Sequence, residues 1–305
     1  MRMAVLMATY NGEKFLRAQI DSILRQKIGI PFDLIVRDDG STDATREILE
    51  SYRLQGALRY YGDTNLGAAK SFITLLRDNP DYDFYAFADQ DDVWEPDKLQ
   101  NGLDAIANVE GPAIHCTNSA MVDEELNSLG RNTHRAMPTY NLVSILCLAC
   151  CAQGCASVFN SALAKVIQAY DMPDVFIMHD SLVTCLCGLI GGTIIYDHAP
   201  SMKYRMHGKN VFGMVTAKQS VSRVIKNRIQ EITTKPKVSM YTQAESILAT
   251  YKAEIPLENQ KLCQTVIRSR DSLAARLQLV LNRDLKHDTF NKTVTKKLKI
   301  LFGND

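Results

Sequence analysis

The chain of 305 residues lacks an apolar run long enough to cross a bilayer. Its longest runs are residues 142–152, well short of the roughly 20 residues that a membrane span needs, and residues 182–195, which three glycines interrupt. The first ten residues, MRMAVLMATY, have no cleavage-site pattern of a signal peptide. We therefore expect a cytoplasmic protein whose eight cysteines stay reduced.

Two phosphate-binding motifs are also missing. The sequence contains neither a G-x-G-x-x-G loop nor a Walker loop, which argues against a dehydrogenase and against a P-loop kinase. A large excess of one charge is missing as well, because the formal net charge is only +1. Residues 215–305 nevertheless hold 17 Lys and Arg against 8 Asp and Glu. Residues 1–214 therefore hold the other 18 Lys and Arg and 26 Asp and Glu. The acidic N-terminal part suits a metal cation, and the basic C-terminal part suits an anionic surface. We predict no nucleic-acid partner.

The cysteines give little sign of a zinc site. Four of them cluster in CLACCAQGC, at Cys147, Cys150, Cys151 and Cys155. Their C-x-x-C spacing is compatible with zinc, but no second pair follows at a suitable distance. The cluster is therefore interpreted as small buried side chains in a packed segment.

Strand and helix patterns alternate along the first hundred residues. Short apolar runs at 3–9, 32–37, 57–61 and 83–88 are each followed by a segment with helical spacing. This alternation predicts a parallel sheet covered by helices on both faces. After residue 110 the pattern becomes irregular, which predicts a mixed extension of the sheet. We expect an α/β domain over 1–215 and a separate helical, basic region over 216–305.

Three polar loops follow strands of this predicted sheet: ATYNGE, RDDGSTD and ADQDD. In such a sheet, ligands bind at the carboxyl ends of the strands. Asp38-Asp39-Gly40 is either a plain turn or a site for a nucleobase N–H. Asp89, Asp91 and Asp92 fall within four positions, which indicates either a solvated turn or ligands for Mg²⁺ or Mn²⁺.

Two later motifs add further polar groups. Asp180 in MHDS precedes an apolar helix, so it is either the N-cap of that helix or a functional acid. The motif YRMHGKN places three basic residues close to a glycine in sequence: Arg205, His207 and Lys209. This pattern makes His207 a candidate contact for a metal or a phosphate.

Taken in order, these motifs resemble those of bacterial family 2 inverting glycosyltransferases. The motifs are ATYNGEKFLRAQIDSIL, VRDDGSTD, NLGAAKSF, FADQDDVWEPDKL, QGCASVFN, MHDS and YRMHGKN, which together cover about residues 3–213. The rhamnosyltransferase-like members that build surface polysaccharides are the most similar. The resemblance implies a GT-A fold, a nucleotide-sugar donor and a divalent cation, Mn²⁺ or Mg²⁺.

The resemblance also implies roles for individual residues. Thr9 and Tyr10 match positions that line the nucleotide pocket, and Asp39 matches the aspartate that contacts the base. Asp89 matches the first residue of the D-x-D signature, which lies toward the ribose or the metal.

Asp91 matches the metal-binding residue of that signature, and His207 matches a further metal or diphosphate contact. Asp180 matches the catalytic base. Many relatives have Glu-Asp where this chain has His179-Asp180, and the His-Asp pair agrees with the rhamnosyltransferase-like branch.

The expected function is transfer of a sugar to a hydroxyl of a lipid-linked glycan acceptor in bacterial surface polysaccharide synthesis. The first expected donor is dTDP-rhamnose, and UDP-hexoses come next. Two alternatives stay open: a nucleotidyltransferase or other nucleotide-sugar-modifying enzyme, and a degenerate carbohydrate-binding module. The first would normally carry a glycine-rich phosphate loop near the N-terminus, which ATYNGEKF lacks.

The last predicted helix carries an apolar stripe among lysines. Phe290, Val294, Leu298 and Leu301 fall on one side of a helix. The helix either docks on its own catalytic domain with a solvated basic face or lies on an anionic membrane surface.

Overall fold

The computed structural model describes residues 1–134, 141–148, 153–169, 171–173, 175–176, 178–208 and 239–304. Three residues named above lie outside the described residues: Cys150, Cys151 and Lys209. So does the first part of the predicted helical region, where the pattern over 219–232 also predicts a helix.

The first half of the sheet is parallel, as the alternation predicts. Its strands lie in the order β3-β2-β1-β4, and helices α1 to α4 follow them along the chain. The strands are β1 (Met3–Thr9), β2 (Phe32–Asp38), β3 (Arg59–Tyr61) and β4 (Phe84–Ala88). The helices are α1 (Leu16–Leu24), α2 (Thr45–Leu54), α3 (Ala68–Asp78) and α4 (Lys98–Ile106). All five residues of β4 are buried, as expected for a strand covered on both faces.

The second half of the sheet is mixed. Beyond β4 the order continues β8-β6-β9-β5, with β7 paired to β6, and the β4–β8 and β6–β8 pairs are antiparallel. The strands are β5 (Val93–Trp94), β6 (Ala113–Val122), β7 (Ser128–Asn132), β8 (Ser157–Asn160) and β9 (Thr193–Arg205). The helices are α5 (Leu142–Leu146), α6 (Ser161–Gln168) and α7 (His179–Leu189), and a 3₁₀ turn spans Gly154–Ala156. The predicted mixed, mainly parallel sheet with flanking helices is confirmed.

The strand β5 was not predicted from the sequence. It has only two residues, and it pairs antiparallel with β9 through Val93–Lys203 and Trp94–Met202. This pairing ties the loop after β4 to the end of β9. It thereby brings two motifs that lie more than a hundred residues apart to the same place.

The C-terminal residues form helices α8 (Met240–Tyr251), α9 (Leu257–Arg268), α10 (Leu273–Leu281) and α11 (Phe290–Phe302). The apolar pattern over 259–282 suggests a continuous helix, but the structure divides it between α9 and α10. Ser272 explains the division, because its hydroxyl accepts a hydrogen bond from the backbone N–H of Ala275 and caps a new helix. No helix among the described residues is both long and apolar enough to cross a membrane.

The C-terminal helices share a hydrophobic core with one face of the sheet. Ile247 and Tyr251 of α8 belong to the same buried cluster as Leu6 and Phe87 of the sheet. The contact also has polar parts, since Gln243 Nε2 donates to Ser181 Oγ at 2.9 Å. The expected boundary near residue 215 lies outside the described residues and stays a prediction.

This shared core leads to a stability prediction. Ile247→Ala removes a fully buried side chain, so we expect the free energy of unfolding to fall by about 2–5 kcal/mol. Because α8 packs on the sheet core, the loss should appear in one cooperative transition, followed by circular dichroism and by Trp94 fluorescence. An early transition in circular dichroism that leaves the Trp94 signal unchanged would show instead that the C-terminal helices unfold as a separate domain.

Candidate active site

The loops after β1 and β4 are joined by the side chain of Gln90. Its Oε1 accepts a hydrogen bond from the backbone N–H of Tyr10 at 3.0 Å, and its Nε2 donates to the Tyr10 carbonyl at 3.1 Å. The approach is so close that a Cβ at Gly12 would lie 2.1 Å from Gln90 Oε1. Gln90, the middle residue of the D-x-D signature, thus fixes the backbone at Tyr10, whose ring is half exposed.

The Thr9 side chain lies beneath this surface. Thr9 is 1% exposed, and its hydroxyl lies 3.3 Å from Asp38 Oδ1. Asp38 also accepts hydrogen bonds from the Ser41 hydroxyl at 2.5 Å and from Arg46 Nε at 2.7 Å. Thr9 therefore supports the loop after β2, and of the two residues predicted to line the nucleotide pocket only Tyr10 has an exposed side chain.

Asp39 is buried and holds the start of α3. Its Oδ1 accepts from Arg37, from the Ser71 hydroxyl and from the backbone N–H of Leu66, and its Oδ2 accepts from the N–H of Gly67. Burial raises the pKa of Asp39, but these hydrogen bonds outweigh it and hold the pKa below its ordinary value. Among the described residues, Oδ2 accepts only the hydrogen bond from Gly67, which leaves one acceptor position for the predicted contact with a base.

The loop after β4 concentrates carboxylates. Ligand atoms of Asp89, Asp92 and Cys155 lie within 4.8 Å of one another. Burial, followed by the charge of Asp91 and, more weakly, that of Asp180, raises the pKa of Asp89 to about 7. Asp89, the first residue of the D-x-D signature, thus lies in an environment in which an additional positive charge would be stabilised.

Asp92 lies deepest in this cluster. Its Oδ1 accepts from the backbone N–H of Arg205 at 3.2 Å, while its Oδ2 is buried without a hydrogen-bond partner among the described residues. Burial, together with Asp91 and Asp89, raises its pKa well above the ordinary value. The buried ammonium of Lys98 lies 4.1 Å from the centre of the Trp94 ring and has no hydrogen-bond partner there either.

The residues present fit a divalent cation. An orphaned carboxylate oxygen and several clustered acids favour a hard cation such as Mg²⁺ or Mn²⁺. The Cys155 thiol is a poor ligand for such an ion, and burial raises its pKa well above the ordinary value. Oxygen ligands from the D-x-D loop are therefore the candidates.

Asp91 and His207 meet directly. His207 Nε2 lies 2.7 Å from Asp91 Oδ2, so the two predicted metal contacts are neighbours although 116 positions separate them. Arg205 Nε donates to the Asp91 carbonyl at 2.8 Å. Phe15 packs against both His207 and Arg205. Its ring centre lies 5.0 Å from that of His207 and 4.5 Å from the guanidinium carbon of Arg205.

Asp180 lies in the first turn of α7, whose N-cap is Met178. The alternative of Asp180 as the N-cap is therefore wrong. Its carboxylate accepts from the N–H of Ser181 at 2.7 Å and from the N–H of Gly154 at 3.3 Å. Burial raises the pKa of Asp180 to about 6, above the ordinary value near 4 that the sequence alone suggests.

His179 is a packing residue beside this carboxylate. Its ring stacks on Phe72 at 3.9 Å between centres and meets Phe87 edge-on at 4.9 Å. A Cβ at Gly154 would lie 2.3 Å from His179 Nε2, so only glycine fits above the ring. Burial lowers the pKa of His179 to about 3, which leaves the ring neutral and without a charge to offer Asp180.

Sequence reasoning missed three of these contributors: Gln90, Cys155 and Phe15. Gln90 occupies the variable position of the D-x-D signature in ADQDD, and no sequence signal indicates that its amide binds the Tyr10 backbone. Cys155 was interpreted with the cysteine cluster, and only the fold shows that it reaches the acidic loop.

The fold and site together define a GT-A type glycosyltransferase architecture. A model of "Glycosyl transferase family 2" matches residues 4–167, which is more than half of the chain, and the protein belongs to this family. The crystal structure of Staphylococcus aureus TarS 1–349 in complex with UDP-GlcNAc superposes with a TM-score of 0.55 at 18% identity, covering 99% of this chain and 91% of that one.

Curated relatives match over shorter stretches. The dTDP-rhamnosyl transferase RfbG of Shigella flexneri is 38% identical over 106 residues, which are 33% of this chain and 36% of that protein. The poly(ribitol-phosphate) beta-N-acetylglucosaminyltransferase TarS of Staphylococcus aureus is 30% identical over 103 residues, 33% of this chain and 18% of that one. The match thus spans about a third or less of these relatives.

The Gln90 contact predicts a coupled pair of variants. Gln90→Glu places a carboxylate oxygen against the Tyr10 carbonyl, and Gly12→Ala pushes the amide away, so each should weaken nucleoside diphosphate binding about tenfold or more. Isothermal titration calorimetry measures the affinity. Gly29→Ala is the control, since a Cβ there meets Gln100 at an ordinary 3.6 Å.

The double variant Gly12→Ala with Gln90→Ala separates coupling from separate damage. The three atoms nearest to the added methyl all belong to the Gln90 amide, so with the amide removed the double variant should bind no worse than Gln90→Ala alone. Simple additivity of the two losses would show that the contact does not hold the nucleotide loop.

Proposed function

We propose that the protein is an inverting glycosyltransferase that moves a sugar from a nucleoside diphosphate to an acceptor hydroxyl. The observation that carries the proposal is Asp180, a partly buried carboxylate with a raised pKa, whose negative charge also raises the pKa of Asp89 in the D-x-D loop. Membership of the family supports it. Asp180 and the D-x-D loop are near enough to interact electrostatically. A base on the acceptor side and an acidic loop on the donor side are the groups that a single displacement of the diphosphate by the acceptor hydroxyl requires.

Asp180 serves as the general base. The N–H groups of Ser181 and Gly154 hold its carboxylate in place. Its raised pKa makes it a stronger proton acceptor than an exposed aspartate, yet it is ionised above about pH 6. It takes the proton of the acceptor hydroxyl as that oxygen attacks the sugar carbon, and the bond to the diphosphate breaks with inversion.

The D-x-D loop serves the donor. Asp91 and His207 would hold the cation, with Asp89 toward the ribose or the metal. When bound, a divalent cation neutralises the charge that develops on the leaving nucleoside diphosphate. The Tyr10 ring and the free acceptor position of Asp39 are the proposed contacts of the base, at the edge where the loops of β1 and β2 meet.

We further propose dTDP-rhamnose as the donor, with UDP-hexoses second, and a glycan hydroxyl as the acceptor. The similarity to RfbG supports the first donor, and the UDP-GlcNAc complex of TarS supports the second. A lipid-linked acceptor in surface polysaccharide synthesis is part of the same proposal and rests on the motif resemblance to the rhamnosyltransferase-like members. A panel of nucleotide sugars, ranked by the rise in melting temperature at saturating concentration, tests the donor choice.

Donor hydrolysis separates the competing functions. A glycosyltransferase slowly releases nucleoside diphosphate and free sugar, whereas a nucleotidyltransferase exchanges pyrophosphate. A degenerate binding module does neither. Pyrophosphate exchange without release of nucleoside diphosphate would contradict the proposal.

The base assignment predicts a pH profile. Below pH 6 the Asp180 carboxyl is protonated and cannot accept a proton, so kcat should fall about tenfold per pH unit as the pH drops below about 6. Asp180→Asn should lower kcat by about 10² to 10⁴ with unchanged donor affinity and without this acidic limb. Loss of donor affinity in the variant would assign Asp180 a structural role.

The metal assignment predicts a separate loss. Asp91→Ala should weaken Mn²⁺ binding, measured by calorimetry without nucleotide, by at least about tenfold, because a charged ligand is removed. Asp81→Ala is the matched control, since this exposed acid precedes β4 at the opposite edge of the sheet. Equal Mn²⁺ affinity of the two variants would remove Asp91 from the metal site.

A further inference from the structure

The N-terminal half of the apolar stripe of α11 is exposed. The helix packs on the protein through Thr295 and Ile300, which are buried, whereas Phe290 is 80% and Val294 40% exposed. At 3.6 residues per turn, Thr295 and Ile300 flank the stripe, each roughly 110° from its centre, and Leu298 and Leu301 at the C-terminal end of the stripe are half-buried. The helix is therefore docked on its own protein, as one of the two alternatives held, but Phe290 and Val294 of its apolar stripe remain exposed.

A second stripe lies beside it on α10. Leu273, Leu277 and Leu281, spaced by four residues, are all exposed, and Leu281 reaches 76%. The two helices run antiparallel: Lys297 Nζ donates to the Asn282 carbonyl at the end of α10. At the other end, a Cβ on Gly303 would lie 2.7 Å from the Arg276 guanidinium carbon. The two stripes thus belong to neighbouring helices.

Exposed apolar side chains are concentrated on this pair of helices. Of the fourteen large hydrophobic side chains that are exposed among the described residues, six belong to α10 and α11. They are Leu273, Leu277, Leu281, Phe290, Val294 and Phe302. Single exposed apolar residues need no explanation, but a concentration of this kind marks a surface that contacts something else.

The charge around this surface is strongly positive. Residues 273–304 hold seven Lys and Arg against two Asp. Arg283 and Lys286, in the connection between the helices, are exposed. Long basic side chains beside an apolar face can keep their charges at the level of lipid headgroups while the apolar groups enter the acyl boundary.

We propose that α10 and α11 together form a docking face for an anionic bilayer. An interfacial position fits the 13 residues of α11, which are too few to span a membrane. The excess of positive charge favours anionic lipid over a second copy of this chain, which would bring the same charge to the contact. The docking itself does not depend on the proposed function. Only its role, which is to bring the active site to a lipid-linked acceptor, rests on that function.

Vesicle co-sedimentation of the full chain tests the docking face. Vesicles of phosphatidylcholine alone are compared with a mixture of phosphatidylcholine and phosphatidylglycerol. Leu281→Ser with Phe290→Ser should lower binding to the anionic vesicles at least about tenfold. The control is Leu54→Ser with Leu257→Ser, two leucines of similar exposure on other helices, which should bind as the unaltered chain does.

A charge variant tests the electrostatic part. Arg283→Gln with Lys286→Gln should lower binding to anionic vesicles about thirtyfold at low salt, with little effect on neutral vesicles. Added salt should reduce the difference.

Three results would overturn the inference: no binding of the unaltered chain to anionic vesicles, equal losses in the apolar variant and its control, or self-association that the apolar variant abolishes while vesicle binding persists. Donor hydrolysis without vesicles should be the same in all variants. If the unaltered chain showed no donor hydrolysis, that result would contradict the proposed function alone, because docking on a bilayer does not require catalysis.

Discussion

Four carboxylates share one end of the sheet, and much of the surrounding structure keeps them there. Asp89, Asp91 and Asp92 follow β4 directly, and Asp180 acts on the same group from α7. Burial and mutual repulsion both disfavour this arrangement in the absence of a cation. The compensating hydrogen bonds come from segments distant in sequence, because the three carboxylates can accept hydrogen bonds but cannot donate them to one another.

Each compensating contact also fixes the geometry of the site. The backbone N–H of Arg205 on β9 binds Asp92, and the Arg205 side chain binds the carbonyl of Asp91. The two-residue strand β5 brings β9 within reach by pairing with it immediately after the acidic loop. The energetic cost of the clustered charges is thus offset by contacts that also set the distance between the D-x-D loop and His207.

The sequence predicted the parallel sheet and the loops at its edge because both depend on local patterns. Strand alternation and polar residues after apolar runs are read over a few positions, and Asp91 and His207 were assigned to one metal site by family resemblance. The roles of Gln90 and Cys155 depend instead on the direction of a side chain across loops distant in sequence. No local pattern contains that information. The raised pKa of Asp180 was missed for the same reason, since its burial depends on how α7 packs.

The last helix shows a second limit of sequence patterns. The periodicity of Phe290 and Val294 established that one side of α11 is apolar, and a helix with such a side is usually expected to turn it inward. Periodicity identifies a side but not its direction, because the same spacing serves a core and a bilayer equally well. In this fold Thr295 and Ile300, which flank the stripe, are buried, while Phe290 and Val294 remain exposed. An apolar side that remains exposed after folding retains its unfavourable contact with water, and burial against lipid would remove that contact.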